Sequence, residues 1–149
     1  MHDPMNNQIN NPTFFQQLAA ATAAERQHLL SAPLIARALN REITRAEYVS
    51  FLTQAYHHVK HTVPLLMAAG SRIPEHKEWL REAVAEYIEE EIGHQEWILN
   101  DIAACGFDKE AVRNSVGNSL SNSAPSPATE LMVAYAYDMI QRVNPIGFF

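Results

Sequence analysis

The stretch that decides the fold runs from Glu86 to Ile102 and reads EYIEEEIGHQEWILNDI. Its apolar side chains recur at steps of three and four residues, which is the spacing of one face of an α-helix. Continuing this pattern in both directions predicts one long helix from about Glu75 to Ala104, ended by Gly106. The sequence contains no strand pattern, so we predict an all-α protein of about four or five helices.

The acidic residues of the chain concentrate in this predicted helix. Residues 75–101 hold nine acidic and two basic side chains, while the 149-residue chain has a formal charge of −6. Several of the acids fall on one face that we expect to be solvated: Glu78, Glu82, Glu89 and Glu96. An acidic chain is a poor partner for nucleic acid or an anionic membrane surface, and no apolar run is long enough to span a bilayer.

Glu91 and His94 depart from that solvated face. At about 100° per residue, both fall in the middle of the apolar stripe formed by Leu80, Val84, Tyr87, Ile98 and Ile102. A buried carboxylate needs a partner, and Glu-x-x-His on inward helix faces is the ligand pattern of di-iron bundles. This donor pair suits iron or manganese. The alternative is a Glu91–His94 pair that forms a salt bridge with another helix and binds no metal.

The preceding helix is predicted from Thr44, where Glu47 completes a capping box, to about Met67, with Pro64 as a kink near its end. Its apolar stripe consists of Tyr48, Phe51, Leu52, Ala55, Val59, Thr62 and Leu66. His57 and His61 point away from this stripe. Their spacing of four residues can chelate a metal ion, but no acidic residue accompanies them. A polar face that is packed against another helix or exposed is the favoured interpretation.

Four residues are predicted to line a pocket. His58 lies at the edge of the apolar stripe, and Tyr56 is close to it along the same helix. Tyr87 belongs to the acidic helix, and Tyr135 belongs to the last helix. Cys105 is the only cysteine, which excludes an internal disulfide and a cysteine-built zinc site, and we expect a small buried hydrophobe there.

The remaining segments are predicted from local signals. Residues 1–12 are polar and are predicted to form a flexible arm before a single domain, 13–149. Residues 113–127 are of low complexity and are predicted to form a mobile loop. The other predicted helices are Thr13 to about Leu30, Pro33–Leu39, and about Ala128 to Val143 before Asn144-Pro145. No signal peptide is recognisable, so we expect a cytoplasmic protein.

Two stretches carry a family resemblance: QAYHHVKHTVPLLM at residues 54–67 and the decisive stretch at 86–102. Together they resemble the haem-oxygenase-like superfamily, and within it the TenA/PqqC-like branch of iron-containing redox enzymes, from Thr13 to the C-terminus. The resemblance implies a bundle of about seven helices around a central pocket, often as a homodimer. It also implies that Glu91 and His94 bind iron, in some members as part of a di-iron centre.

The resemblance further implies ligands beyond the segment NPIGFF, residues 144–149. These are a glutamate and then a cluster of Asp and His residues. Because the sequence ends at residue 149, we expect a C-terminally truncated, N-terminal portion of a family member. Its set of metal ligands is then incomplete, and we expect no catalysis by the isolated chain.

Three functions stay open at this point. The first is a non-haem iron or di-iron oxidase or oxygenase of a small molecule, completed by a longer chain or a partner subunit. The second is a catalytically inactive, truncated helical protein that self-associates through an apolar groove. The third is a TenA-like thiamin-salvage hydrolase, which needs a nucleophilic cysteine. Cys105, at a helix end, matches that role poorly.

Overall fold

The computed structural model describes residues 11–116 and 122–148. Within these ranges the regular structure is entirely helical, which confirms the all-α prediction. The α-helices are α1 (Phe14–Ala21), α2 (Ala23–Leu30), α3 (Pro33–Leu39), α4 (Arg45–Val59), α5 (Thr62–Gly70), α6 (Glu78–Glu91), α7 (His94–Ala104), α8 (Lys109–Arg113) and α9 (Pro127–Asp138). They outnumber the four or five predicted, because three of the predicted helices are each divided in two and α8 has no strong sequence signal.

The chain divides into two compact units between Ile43 and Thr44. The described residues of the first unit form α1 to α3, and none of their side chains is fully buried. Thr13 caps α1 as predicted, with its hydroxyl accepting a hydrogen bond from the Gln16 backbone. The predicted arm lies mostly outside the described residues, since these begin at Asn11.

The second unit begins with the predicted capping box. The Thr44 hydroxyl accepts a hydrogen bond from the Glu47 backbone, and the Glu47 carboxylate accepts one from the Thr44 backbone at 2.8 Å. Two of the four N–H groups that a helix start leaves unpaired are thereby satisfied or approached by side chains. This confirms the predicted start of α4.

The predicted helix from Thr44 to Met67 ends early, at Val59. Lys60 and His61 form a turn, and α5 begins at Thr62. Pro64 stands in the first turn of α5, where its missing N–H leaves no donor for the carbonyl of Lys60 four residues earlier. The proline therefore interrupts the helix ahead of itself instead of kinking it near its end.

The core of the second unit consists of three buried clusters. The first joins α4, α7 and α8: Val49, Leu52, Tyr56, Leu99, Ile102 and Val112. The second joins α5 to the segment after α9: Leu65, Ala69 and Ile140. The third joins α5 to α6: Leu66, Ile73 and Val84. The predicted stripe of α4 is thus wrong at Tyr48 and Phe51, which are exposed, and right at Leu52.

The last helix starts and ends close to the predicted bounds. The Ser126 hydroxyl accepts a hydrogen bond from the Thr129 backbone and so caps α9. After Asp138 the helix widens into a π-helical turn, Met139–Val143, and Asn144 is extended. The predicted mobile loop at 113–127 lies partly outside the described residues, and its described flanks include the end of α8 and this cap.

Candidate functional site

The candidate site lies where α6 ends and α7 begins. Glu91 is the last residue of α6, and His94 is the first residue of α7. Between them Ile92 is extended, and Gly93 has a φ of 95°, a left-handed conformation that favours glycine. The prediction of one continuous helix from Glu75 to Ala104 is therefore wrong, and angles counted from Leu80 do not carry across this junction.

The junction brings the two predicted ligands together. Nδ1 of His94 lies 3.1 Å from Oε2 of Glu91, and both side chains are largely shielded, with 29% and 17% of their surfaces exposed. The His94 ring also packs against the ring of Trp97, with centroids 4.4 Å apart. Neither side chain is fully buried, since the neighbouring apolar residues Tyr87, Ile92 and Trp97 are themselves exposed.

The hydrogen bond defines what the imidazole can do. A carboxylate oxygen only accepts, so Nδ1 of His94 carries the proton and Nε2 presents a lone pair. Carboxylate–imidazole pairs of this kind orient a histidine whose other nitrogen binds a metal ion. Across the described residues, however, no three His, Cys, Asp or Glu side chains gather into a group that would hold a metal. Glu91 and His94 supply two donors, and their role as ligands stays a prediction.

The four residues predicted to line a pocket lie in different surroundings. Tyr56 is buried in the core cluster of α4 and α7, and Tyr87 is exposed on α6. His58 and Tyr135 both line a cavity of about 230 Å³, together with Leu65 and other residues of α9. For Tyr56 and Tyr87 the pocket-lining role stays a prediction.

His57 is placed differently from its prediction. It is 2% exposed, and its Nε2 donates to the carbonyl oxygen of Ser123 at 2.7 Å. His61 follows the end of α4, so the two imidazoles do not stand four residues apart on one continuous helix. Nδ1 of His61 lies 3.4 Å from the hydroxyl of Tyr137, and the two rings meet edge to face.

The pKa values of both histidines are lowered. For His57 and for His61 the main cause is burial, which disfavours the charged imidazolium. The positive charge of Lys60 lowers both pKa values further, whereas the Ser123 carbonyl partly offsets the lowering for His57. Both imidazoles are therefore neutral at physiological pH.

Cys105 and Lys60 complete the chemical groups near α4. The thiol of Cys105 is half-buried at the end of α7 and packs against the first core cluster, as a small hydrophobe does. Sequence reasoning missed Lys60, whose ammonium reaches Nδ1 of His57 at 3.2 Å. The signal available was a lone lysine within the histidine-rich run HHVKH, residues 57–61.

Comparison with protein families gives a match over residues 49–149, to the family described as iron-containing redox enzyme. The match does not separate the TenA/PqqC-like branch from the rest, so the branch stays a prediction. No curated protein matches the chain. Throughout the described ranges, every helix is too short or too polar to cross a membrane.

Comparison with solved structures gives a domain of unknown function with a heme oxygenase-like fold from Shewanella denitrificans OS217, at a TM-score of 0.73 and 28% sequence identity. The alignment covers 91% of this chain and 56% of that structure. The fold is therefore haem-oxygenase-like, as the sequence resemblance predicts. The chain spans little more than half the length of this relative.

Proposed function

This chain belongs to the family of iron-containing redox enzymes, and we propose that it forms part of a non-haem iron oxidase or oxygenase acting on a small molecule. The observation that carries the proposal is the Glu91–His94 pair. It lies within the region that the family model matches, and its two side chains are held 3.1 Å apart by the junction of α6 and α7.

The pair fits one edge of an iron site. Nitrogen and carboxylate oxygen are donors that suit iron and manganese better than thiolate-loving ions. Nε2 of His94 offers its lone pair, while the second carboxylate oxygen of Glu91 is left over for the same ion. Shielding of both side chains raises the cost of leaving the carboxylate without a positive partner.

Bound iron would supply the one-electron and oxygen chemistry that amino-acid side chains lack. The residues of this chain would position the ion and exclude water from one side of it. Further ligands have to come from outside the described residues, whether from a longer protein or from a second copy of the chain. The substrate and the complete activity are accordingly proposed for the whole protein.

Trp97 makes the proposal testable without a substrate, because its ring lies against the His94 ring. Fe(II) is titrated into the full chain without oxygen while tryptophan fluorescence is measured, and the titration is repeated with Mn(II). We expect saturable quenching in the wild type, lost in Trp97→Phe because the remaining Trp79 is a separate reporter. His94→Ala and Glu91→Ala should weaken binding at least about tenfold, since even groups that only orient ligands contribute that much.

Two exposed residues of the same types serve as matched controls. Glu90→Ala removes the neighbouring carboxylate of α6, and His76→Ala removes an imidazole from the segment before α6. Both should bind Fe(II) as the wild type does, as measured by the same titration with metal analysis of the saturated protein. Equal affinity in the wild type, His94→Ala and Glu91→Ala would refute the assignment of these two residues.

A further inference from the structure

A cavity of about 370 Å³ lies beside the turn between α4 and α5. Its apolar lining residues are Val116, Pro125, Val133 and Ala134. Its polar lining residues are His57, Lys60, His61, Ser115, Thr129 and Glu130. Cavities of this size, mostly apolar with a few convergent polar groups, are typical of small-molecule sites.

Lys60 brings a positive charge to this cavity with no carboxylate beside it. None of the ion pairs among the described residues involves Lys60. The ammonium donates one hydrogen bond to Nδ1 of His57, and Nζ lies 5.3 Å from the centre of the Tyr56 ring. Burial lowers the pKa of Lys60, as expected for a charge that has lost water without gaining a counter-ion. An ammonium has three N–H donors, so two remain for a ligand.

The neighbouring histidine fixes Lys60 without neutralising it. Because Nε2 of His57 donates to the Ser123 carbonyl, its proton is on Nε2 and its Nδ1 can only accept. The lone pair on Nδ1 then receives a hydrogen bond from Lys60. His57 is neutral, so it holds the ammonium in position and contributes no negative charge. His61 is neutral as well, and its Nδ1 faces the Tyr137 hydroxyl.

Glu130 determines which anions suit the cavity. It is the acidic residue among the lining groups and forms no ion pair with Lys60. Its charge favours a ligand with one negative end over a ligand with two, because a second carboxylate would meet a like charge. The apolar residues Val133 and Ala134 suit an aliphatic body.

We propose that this cavity binds a small aliphatic monocarboxylate, whose carboxylate accepts a hydrogen bond from Lys60 while its chain lies against Val133 and Ala134. The site goes beyond the proposed iron chemistry and requires neither Glu91 nor His94. Its failure would leave the iron proposal untouched, and the reverse also holds, because the two tests use different ligands and different variants.

The first test compares three six-carbon probes on the chelator-treated full chain at constant ionic strength. Calorimetry and amide NMR shifts are measured with hexanoate, with hexanol as the uncharged analogue and with adipate as the dicarboxylate. We expect saturable binding of hexanoate, with shifts centred on Val133 and Ala134. Hexanol and adipate should bind at least about tenfold more weakly, since a charge-assisted hydrogen bond is lost or a like charge is added. Inorganic phosphate should not compete.

The second test uses variants. Lys60→Met keeps the length of the side chain and should weaken hexanoate binding at least about tenfold. Lys109→Met is the matched control, because Lys109 bonds to Asn100 away from the cavity, and it should bind as the wild type does. Glu130→Gln should narrow the difference between hexanoate and adipate. Equal affinities of the wild type and Lys60→Met, equal binding of hexanol and hexanoate, competition by phosphate, or no saturable hexanoate binding would each overturn the proposal.

Discussion

The Glu91 carboxylate ends α6 and the His94 imidazole begins α7, with Oε2 and Nδ1 3.1 Å apart. Gly93 makes this geometry possible, because its φ of 95° turns the backbone between the two residues. No atom lies within 4 Å of the position that a Cβ on Gly93 would occupy. A larger residue there is opposed by backbone strain and not by a collision.

Gly93→Ala should therefore destabilise the protein by about 1–2 kcal/mol, the cost of an L-residue in a left-handed conformation. Fe(II) affinity should fall in the same variant, since relaxing the turn separates Glu91 from His94. Chemical denaturation and the fluorescence titration measure the two effects. Gly93→Asn is the matched control, because asparagine tolerates this conformation better and should lose less of both. Unchanged stability in Gly93→Ala would contradict the explanation from backbone strain.

Stability should fall as the pH falls below the ordinary imidazole pKa of 6.5. The pKa values of His57 and His61 are lowered in the folded state, so below pH 6.5 the unfolded chain binds more protons than the folded chain. The charges facing His57 are Lys60, which opposes protonation, and Glu130, which favours it less strongly. The free energy of unfolding should thus be highest above this pH and decrease steadily below it.

The experiment measures unfolding free energies from about pH 7.5 to about pH 5. His57→Asn should show a shallower decrease than the wild type, because one of the two responsible groups is gone. His28→Asn, at an exposed position in α2, should keep the wild-type slope. Identical slopes in all three proteins would assign the pH dependence to other groups.

Gln54 fastens the segment before α9 to α4. Its Oε1 accepts hydrogen bonds from the Ser126 backbone and the Thr129 hydroxyl, both at 2.8 Å, and its Nε2 donates to the Ala124 carbonyl at 3.1 Å. Gln54→Leu should lower the free energy of unfolding by about 2–3 kcal/mol, because three partners lose their hydrogen bonds. Gln141→Leu, at an exposed position, should change it by less than about 0.5 kcal/mol. Similar losses in the two variants would refute this role for Gln54.

Two isoleucines on the two sides of the helix junction test the core assignment. Ile102 is 0% exposed in the first core cluster, whereas Ile92 is 63% exposed. Ile102→Ala should destabilise the protein by about 2–5 kcal/mol through lost burial and a cavity. Ile92→Ala should cost less than about 1 kcal/mol. Thermal or chemical unfolding measures both, and a larger loss at Ile92 would contradict the described burial.

Local sequence signals predicted the helix ends that short-range chemistry controls. The capping box of Thr44 and Glu47 needs only two residues three positions apart. The start of α3 at Pro33 and the end of the last helix at Asn144 likewise depend on the backbone limits of proline. The pairing of Glu91 with His94 was also foreseeable, although through a continuous helix that does not form.

Longer-range features could not be read from periodicity. Glycine within a helix pattern is compatible with both a mild penalty and a left-handed break, and only the surroundings of Gly93 select the break. His57 is buried by a segment 66 residues away in sequence, around Ser123, which helical angles within α4 do not reveal. The same segment gives Lys60 its surroundings, which explains why the cavity has no sequence signature.

The π-helical turn at Met139–Val143 contains one residue more than an ordinary helical turn would hold. Its ladder is closed by the Asn144 N–H, which donates to the Met139 carbonyl five residues earlier at 2.8 Å. Deleting a single residue here would restore the regular ladder and rotate everything that follows by about 100°. Aligned homologues that gain or lose one position in this turn should therefore differ in the direction in which Pro145 and the residues after it leave the bundle.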